Sequence, residues 1–345
     1  MTDTRLTVLF HSNTLTVRGT EVALFDYADF NEECLGNRSV VAFPKSGVSS
    51  ESALKKFQDR FDVVLYETQN ELDTAAKSHV IDVCYFIKNG ENDGLLVEGV
   101  KNVVHAVFQN YEPHGDVYAY VSDWLANAAS QGVCPAVPHI IREPVNTSDD
   151  LRQELGIPSQ ADVYGVIGGT NSFKIFAAVN AVLDTIESDD TKYFVFVNTR
   201  MPEWFFWINR RIRKALRTGR LIYLEQIVDL DRKERFMNTC DAMLHARRRG
   251  ESFGIALGEF AVRGKPVIVH FSDKTRDRCH YEILGNSANY YRSRAELRNL
   301  LSQPASDLIV SDAYFQFYPE KVMQIFSDVF LRPNTDPAIE RATSE

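Results

Sequence analysis

Short apolar runs rich in β-branched and aromatic residues recur along the chain, and segments of helical periodicity separate them. Six of these runs lie in the first half, at residues 6–10, 39–43, 62–66, 82–87, 102–108 and 117–122. Five more lie in the second half, at residues 163–168, 193–198, 221–225, 242–246 and 266–271. Such alternation is typical of parallel sheets covered by helices on both faces. We therefore predict an α/β fold built on Rossmann-like parallel sheets.

The length of the chain, 345 residues, favours two domains of about 150 residues each. Segment 134–150 carries three prolines and then turns polar, so we place a linker there. A nucleotide-sized cleft is expected between the two lobes. We predict a first lobe at residues 1–143 and a second lobe at residues 144–313. A closing helical segment is expected at residues 314–331, and a disordered tail at residues 332–345.

Composition bears on the partners and the cellular compartment of the protein. The formal net charge of −9 gives no electrostatic footprint for nucleic acid, which therefore stays unsupported as a partner. The five cysteines lack a C-x-x-C pair and are interpreted as buried thiols in a reducing compartment. The N-terminus does not have the pattern of a signal peptide, and no apolar stretch is long enough to form a transmembrane segment. A cytoplasmic protein is expected.

One segment, HARRRGESFGIALGEFAVRGKPVIV at residues 245–269, places two glutamates eight positions apart. Its pattern predicts a strand, a loop and then a short helix from Phe253 that Gly264 ends. The first N–H groups of such a helix can receive an anion such as a diphosphate, and Gly254 would allow a close approach. Glu251 would precede the helix, while Glu259, two turns further, could accept hydrogen bonds from vicinal hydroxyls.

This E-x7-E pattern, with Phe-Gly after the first glutamate and RGKPVIV behind it, resembles the donor-site motif of retaining GT-B glycosyltransferases. The resemblance implies a first lobe for the acceptor and a second lobe for the nucleotide sugar, facing each other across a cleft. It implies that Glu251 lies at the transferred sugar and that Glu259 holds the ribose. Phe253 and Gly254 would supply main-chain contacts. The alternative is an acidic, solvated helix in a plain Rossmann lobe.

The resemblance extends more weakly over most of the chain. The stretch HSNTLTVRGTEVALFDYA resembles the opening strand and loop of that family, which nominates Gly19 as a backbone contact to the donor phosphates. A glycine that only serves a β-to-α turn is an equally good interpretation. NVVHAVF resembles a strand that carries a histidine near the sugar, which nominates His105, with a hydrogen-bonded core histidine as the equal alternative. Segment 314–330 resembles the last helices of the family, which cross back over the first lobe.

The second lobe departs from the family pattern at one point. The family opens this lobe with Gly-Arg and a lysine, which grip the diphosphate, whereas this chain keeps Lys174 and has Val166 or Gly169 in place of the arginine. A lysine alone offers a point charge and no bidentate fork, and the alternative for Lys174 is a solvated helix lysine. Residues 247–249 are three arginines, of which Arg247 is the first candidate for the missing cation. A solvated basic loop is the alternative.

Three further segments complete the interpretation. Glu225 follows a strand in the region that the resemblance assigns to the nucleobase. Asp229 and Asp231 imitate a D-x-D metal motif but precede a helix, so we interpret them as helix-start residues and expect no essential metal. Aromatic residues 204–207 precede a basic run. They could stack on sugars or bases, but packing of the helix on its lobe, with solvated arginines, is the favoured interpretation.

Together these features predict a hexosyltransferase that moves a sugar from a nucleotide diphosphate sugar, a UDP- or GDP-sugar, to the hydroxyl of a saccharide or other acceptor. The resemblance implies retention of the anomeric configuration. A non-catalytic nucleotide-sugar-binding protein and a sugar-nucleotide epimerase of the same fold are the alternatives. A dinucleotide-dependent oxidoreductase is disfavoured, because G-x-G-x-x-G is missing.

Overall fold

Two six-stranded sheets organise the chain, one in each of two units. The computed structural model describes residues 5–16, 19–170, 172–202 and 205–332. Unit 1 comprises the described residues of Met1–Ile140 and Pro319–Glu345, and unit 2 comprises those of Ile141–Tyr318. All eleven apolar runs that the sequence analysis singled out contain strands, so the predicted α/β class with two parallel sheets is confirmed.

The sheet of unit 1 is parallel throughout. Its strands are β1 (Thr7–Ser12), β2 (Arg38–Pro44), β3 (Asp62–Tyr66), β4 (Val83–Lys88), β5 (Lys101–Ala106) and β6 (Val117–Tyr120). Their order is β3-β2-β1-β4-β5-β6. Strands β1 and β4 are buried along nearly their whole length because helices cover both faces of the sheet.

Four helices of unit 1 follow its strands. They are α1 (Gly19–Glu33), α2 (Glu51–Gln58), α3 (Gln69–Ser78) and α4 (Asp123–Ser130). The last three begin after Ser50, Thr68 and Ser122, whose hydroxyl oxygens accept hydrogen bonds from backbone N–H groups of the first turn. Local capping residues therefore set where these helices begin.

Unit 2 contains eight strands. They are β7 (Asp162–Ile167), β8 (Lys192–Val197), β9 (Leu221–Leu224), β10 (Ala242–His245), β11 (Gly250–Glu251), β12 (Val267–His270), β13 (Asp277–Arg278) and β14 (Asn289–Tyr291). The main sheet is parallel, with the order β14-β12-β10-β7-β8-β9, and β11 and β13 form a separate parallel pair. The strand order reverses between β7 and β10. In open α/β sheets, ligands bind at the carboxyl ends of strands beside such a switch point.

Seven helices belong to unit 2. They are α5 (Arg152–Leu155), α6 (Phe176–Ser188), α7 (Phe206–Arg217), α8 (Leu230–Thr239), α9 (Ile255–Ala261), α10 (Cys279–Leu284) and α11 (Arg294–Ser302). A core of residues from α6, α7 and α11 packs against one face of the main sheet. The predicted role of Asp229 is confirmed, because its Oδ1 accepts a hydrogen bond from the N–H of Arg232, 2.7 Å away, at the start of α8.

The chain returns to unit 1 with helix α12 (Pro319–Phe326) and a π-helical turn at Ser327–Leu331. The ring of Phe326 packs on three rings of that unit, those of Phe10, Tyr27 and Tyr85. From residue 333 onward, the predicted disordered tail lies outside the described residues.

Four of the five thiols are buried, but Cys34 is exposed because it directly follows α1 in the turn toward β2, so the prediction of five buried thiols is wrong for this residue. Within the described ranges, every helix is too short or too polar to cross a membrane.

Candidate functional site

The carboxyl ends of β7 and β10 flank the switch point of the main sheet of unit 2. Strand β10 ends at His245, and the loop behind it leads to Glu251 in β11. Strand β7 ends at Ile167, and the loop behind it carries Lys174. Because neighbouring parallel strands have their carboxyl ends at the same edge, these loops lie side by side. The E-x7-E segment therefore begins at the edge where this class of sheet binds ligands.

Glu251 is held between two basic side chains. Its Oε1 lies 3.0 Å from Nε2 of His245, and its Oε2 accepts a hydrogen bond from Nη1 of Arg247 at 2.5 Å. Burial alone would raise the pKa of Glu251, but the hydrogen bond to His245 and the charge of Arg247 outweigh it and lower the pKa to about 2. The carboxylate is thus ionised at neutral pH, so it can accept hydrogen bonds but cannot act as a proton donor.

A second histidine lies behind this pair. His280 in α10 is fully buried, and its ring centroid is 5.2 Å from that of His245. Burial lowers the pKa of His280 to about 3, and the nearby His245 adds to this effect. The hydroxyl of Tyr291 donates to the backbone oxygen of His245 at 3.2 Å. The end of β10 is therefore fixed by His280 on one side and by Tyr291 on the other. The neutral imidazole of His280 lies beside the hydrogen-bonded pair of His245 and Glu251.

Gly250 determines how Glu251 is presented. Its φ is +80°, and a Cβ atom added to it would lie 2.0 Å from the backbone oxygen of Asp277. The β11–β13 pairing, Gly250 with Asp277 and Glu251 with Arg278, depends on this close approach. Arg249 supports it, because its Nε donates to Oδ2 of Asp277 at 2.7 Å and its backbone oxygen accepts from the Asp277 N–H at 2.8 Å.

Replacing Gly250 by alanine is expected to destabilise unit 2 by about 3 kcal/mol or more, because a clash with backbone adds to the cost of the positive φ. The thermal unfolding midpoint should fall by roughly 6 °C or more. Gly264→Ala is the matched control, since Gly264 has a φ of +66° but no atom within 4 Å of its added Cβ. Its cost should be about 1 kcal/mol. Equal costs for the two variants would contradict a special requirement at Gly250.

Phe253 and Gly254 are fixed by Tyr314. The ring of Phe253 is buried against those of Tyr314 and Phe317, and its backbone oxygen accepts from the Tyr314 hydroxyl at 3.1 Å. Gly254 has a φ of +98° and precedes α9, and its added Cβ would lie 3.0 Å from the Tyr314 hydroxyl oxygen. The predicted end of the helix at Gly264 agrees with the φ of +66° at that residue. The loop before α9 is thus a rigid backbone surface.

Glu259 lies on α9 and is buried. Its carboxylate is hydrogen-bonded to the ammonium group of Lys233 on α8, and its backbone oxygen accepts from Nη1 of Arg263 at 2.7 Å. The expectation of a solvated helix, one part of the alternative interpretation, is therefore wrong, because the glutamate that lies on α9 is buried and paired with a cation. Lys233 is a partner that the spacing of the motif did not indicate.

The remaining candidates of unit 2 are exposed. Lys174 lies in the loop before α6, and its side chain is exposed at the switch-point edge. Glu225 is 90% exposed and pairs with Arg200 at 2.8 Å. It follows β9, three strands from β10, or about 14 Å at the usual strand spacing, so the sheet does not bring it together with Glu251.

The three arginines of the loop after β10 have different environments. Arg247 binds Glu251, and Arg249 binds Asp277. Arg248 is exposed, and no acidic side chain of the described residues contacts it. If this loop supplies the missing cation for the diphosphate, Arg248 is the candidate with an unpaired guanidinium among the described residues. Arg247 could contribute only the N–H groups that do not contact Glu251.

Two candidates lie in unit 1. His105 on β5 is completely buried, with Nδ1 at 2.7 Å from the Tyr85 hydroxyl and Nε2 at 2.8 Å from the backbone oxygen of Val137. Burial lowers its pKa to about 4, against backbone hydrogen bonds that raise it. This placement favours a hydrogen-bonded core histidine, and a catalytic role stays a prediction. Gly19 is the first residue of α1 and exposed, and an added Cβ would have no atom of the described residues within 4 Å.

No group of three or more His, Cys, Asp or Glu side chains in the described part of the chain is arranged to hold a metal ion.

Several solved structures are similar to this chain over most of its length. HepE from Anabaena, crystallised with UDP and glucose, superposes with a TM-score of 0.66 at 15% identity, covering 94% of this chain and 99% of that one. A glycosyltransferase from Rickettsia africae gives 0.65 at 11% identity, covering 94% and 98%. WaaG, a glycosyltransferase of lipopolysaccharide biosynthesis, gives 0.61 at 14% identity, covering 94% and 99%.

The chain has the GT-B fold. This confirms the predicted fold class, and the two six-stranded parallel sheets are those of the GT-B architecture. No protein-family model matches the sequence, and no curated protein shows significant sequence similarity to it. At these low identities the GT-B fold is recognised from structure.

Proposed function

We propose that this protein is a glycosyltransferase that moves a hexose from a nucleotide diphosphate sugar to an acceptor hydroxyl. One observation carries the proposal: an ionised carboxylate, Glu251, is held by His245 and Arg247 at the switch-point edge of a GT-B sheet. Carboxylate oxygens accept hydrogen bonds from sugar hydroxyls. The proposal is also supported by the solved structures that this chain resembles, since several of them are glycosyltransferases.

The proposed donor is a UDP-sugar, because HepE has been crystallised with UDP and with UDP-glucose. Glu251 would accept hydrogen bonds from the transferred sugar, and Glu259 from the ribose. The backbone of Phe253 and Gly254 would contact the sugar or the phosphates. A GDP-sugar is the alternative donor. Glu225, which the resemblance assigns to the nucleobase region, is exposed and paired with Arg200, and its contact with the nucleobase stays a prediction.

Catalysis requires that the negative charge on the leaving diphosphate be stabilised as it develops. Lys174 and Arg248 are the exposed cations that we propose for this task, with Arg247 as a bridge to Glu251. Because the pKa of Glu251 is lowered to about 2, this residue orients the sugar and does not deliver a proton. We propose retention through attack on the front face of the sugar, with the leaving phosphate accepting the proton of the acceptor hydroxyl.

A non-catalytic nucleotide-sugar-binding protein is the second candidate. It is favoured by the missing arginine of the family's Gly-Arg opening, where this chain has Val166 or Gly169, and by the pairing of Arg247 with Glu251. The two functions differ in turnover, since both predict binding of the donor.

The test is incubation of the purified protein with UDP-glucose, UDP-galactose, UDP-N-acetylglucosamine and GDP-mannose and a panel of saccharide acceptors. Release of the nucleoside diphosphate is followed, and the anomeric configuration of the product is read by NMR. Transfer with retained configuration supports the proposal in full. Donor binding without transfer to any acceptor favours the second candidate, and a product of inverted configuration overturns the retaining mechanism.

Gly19→Val is expected to weaken binding of a UDP-sugar about tenfold while leaving the thermal unfolding midpoint within about 2 °C of the parent. A Cβ atom added to Gly19 has no atom of the described residues within 4 Å, so we expect the larger side chain to affect mainly an approaching ligand. Thr20→Val, the adjacent isosteric change, is the control and should leave affinity unchanged. If Gly19→Val binds the donor as the parent does, Gly19 serves only the turn into α1.

A further inference from the structure

A cluster of exposed aromatic side chains stands at the start of α7, a helix that the proposed transfer reaction does not use. Phe205, Phe206 and Trp207, the aromatic cluster, are exposed to 52%, 78% and 46%. The rings of Phe205 and Trp207 are stacked with centroids 6.0 Å apart, and both meet the ring of Phe176 edge-on. The favoured interpretation from the sequence, that residues 204–207 pack the helix on its lobe, is wrong for these three exposed residues, and Trp204 lies outside the described residues. That role belongs to Ile208, Ile212 and Ala215, which are buried.

The same helix carries five basic residues and no acidic one. Arg211 is paired, with hydrogen bonds to Asp184 and Glu187. The other four are exposed, and no acidic side chain among the described residues contacts them; these residues, the basic stripe, are Arg210, Arg213, Lys214 and Arg217. The chain as a whole has a net charge of −9, so the positive charge of this surface is opposite in sign to that of the protein.

Phe206 and the three arginines of the basic stripe share one outward face of α7. Phe206, Arg210, Arg213 and Arg217 follow the spacing of one side of a helix, opposite the buried residues. At 1.5 Å per residue, the twelve residues of α7 extend about 18 Å. The outer face of α7 therefore carries apolar rings at one end and cations along the rest. This amphipathic face is exposed to solvent, while the opposite face of the helix packs on unit 2.

We propose that this face of α7 binds the surface of a membrane that contains anionic lipid. Exposed aromatic rings enter the boundary between head groups and acyl chains, where Trp and Phe are favoured, and the basic stripe attracts the anionic head groups. Charge complementarity selects an anionic surface over a neutral one. A membrane fits better than nucleic acid, because the most exposed ring, Phe206, has no ring partner among the described residues and gains most from transfer out of water.

The test is sedimentation of the full chain with extruded vesicles of phosphatidylcholine, alone or with about one-third phosphatidylglycerol. We expect binding to the anionic vesicles, little binding to the neutral ones, and weakening by salt. The triple variant Arg213→Gln, Lys214→Gln and Arg217→Gln should bind the anionic vesicles at least about tenfold more weakly. Phe206→Ser should lower binding several-fold, and both variants should keep the unfolding midpoint because the changed side chains are exposed.

A matched triple variant controls for net charge. Lys77→Gln, Lys274→Gln and Lys321→Gln also removes three positive charges from exposed positions, all outside α7, and should bind as the parent does. The proposal is overturned if the parent does not bind anionic vesicles, or if the variants of α7 bind them as well as the control does. Binding of a single-stranded oligonucleotide without binding of vesicles also overturns it and assigns the surface to nucleic acid.

Discussion

Glu251→Gln is expected to lower kcat for glycosyl transfer about ten- to a hundredfold while UDP affinity stays within about threefold of the parent. The change keeps the shape of the side chain but removes the charge that His245 and Arg247 hold in place. Hydrogen bonds to a charged group contribute about 1.5–3 kcal/mol, and each 1.4 kcal/mol corresponds to a factor of ten. A residue that contacts the sugar and not the nucleotide should affect transfer and leave UDP binding nearly intact.

Initial rates over a range of donor concentration, together with titration of UDP alone, separate these effects. Glu282→Gln, an exposed change on neighbouring α10, is the control and should alter neither quantity. Glu251→Gln should also lower the thermal unfolding midpoint, because it removes the charged partner of His245 and Arg247, so rates are compared well below that midpoint. A Glu251→Gln protein that transfers sugar at the parental rate would show that this carboxylate does not contact the substrate.

The protein is expected to lose stability steeply as pH falls from about 6.5 toward 4. Burial lowers the pKa of His11 to about 3, that of His105 to about 4 and that of His280 to about 3. Below pH 6.5 the unfolded chain binds protons at these residues that the folded chain does not, so the free energy of unfolding rises with pH in this window. Each histidine contributes a slope of up to about 1.4 kcal/mol per pH unit.

Proton uptake on unfolding measures this effect directly. At pH 5.5, these three histidines together should bind about two to three protons per chain when the protein unfolds in urea. His280→Gln should reduce the uptake by about one proton. Unfolding without proton uptake at this pH would contradict the assignment of three buried, neutral histidines.

The fold was largely predictable from sequence because apolar runs between helical segments report burial on both faces of a parallel sheet. The strands that the sequence did not indicate are β11, β13 and β14, each of two or three residues. Such strands are too short for a periodic pattern, and β11 depends on a glycine whose close contact with Asp277 is a tertiary feature. Helix α9 was predicted as part of residues 253–264 and occupies Ile255–Ala261.

The site was predictable only in its local part. The spacing of the motif singled out Glu251 and Glu259, but their partners come from other elements: Lys233 lies 26 residues before Glu259, and Tyr314 lies 61 residues after Phe253. Local spacing carries no information on such contacts. His245 had a usable signal, since a polar residue near the end of an apolar run, six residues before Glu251, is placed at the carboxyl edge of the sheet.

Side-chain exposure was the other property that the sequence left open. His105 and the aromatic cluster illustrate opposite outcomes, because the histidine proved fully buried and the aromatic rings proved exposed. A residue type alone does not determine which side of a helix or strand faces the core. Only the packing of the completed sheet decides this.

Calorimetric titration with UDP, GDP, UDP-glucose and GDP-mannose tests the central claim, a nucleotide-sugar site built on the E-x7-E segment of unit 2. The parent is compared with Glu259→Gln, which keeps the shape of the side chain beside Lys233, and with Glu282→Gln as control. We expect one nucleotide to bind in the micromolar range and Glu259→Gln to weaken its binding at least tenfold, about 1.4 kcal/mol. Absence of nucleotide binding, or equal affinity for the parent and Glu259→Gln, would contradict this claim.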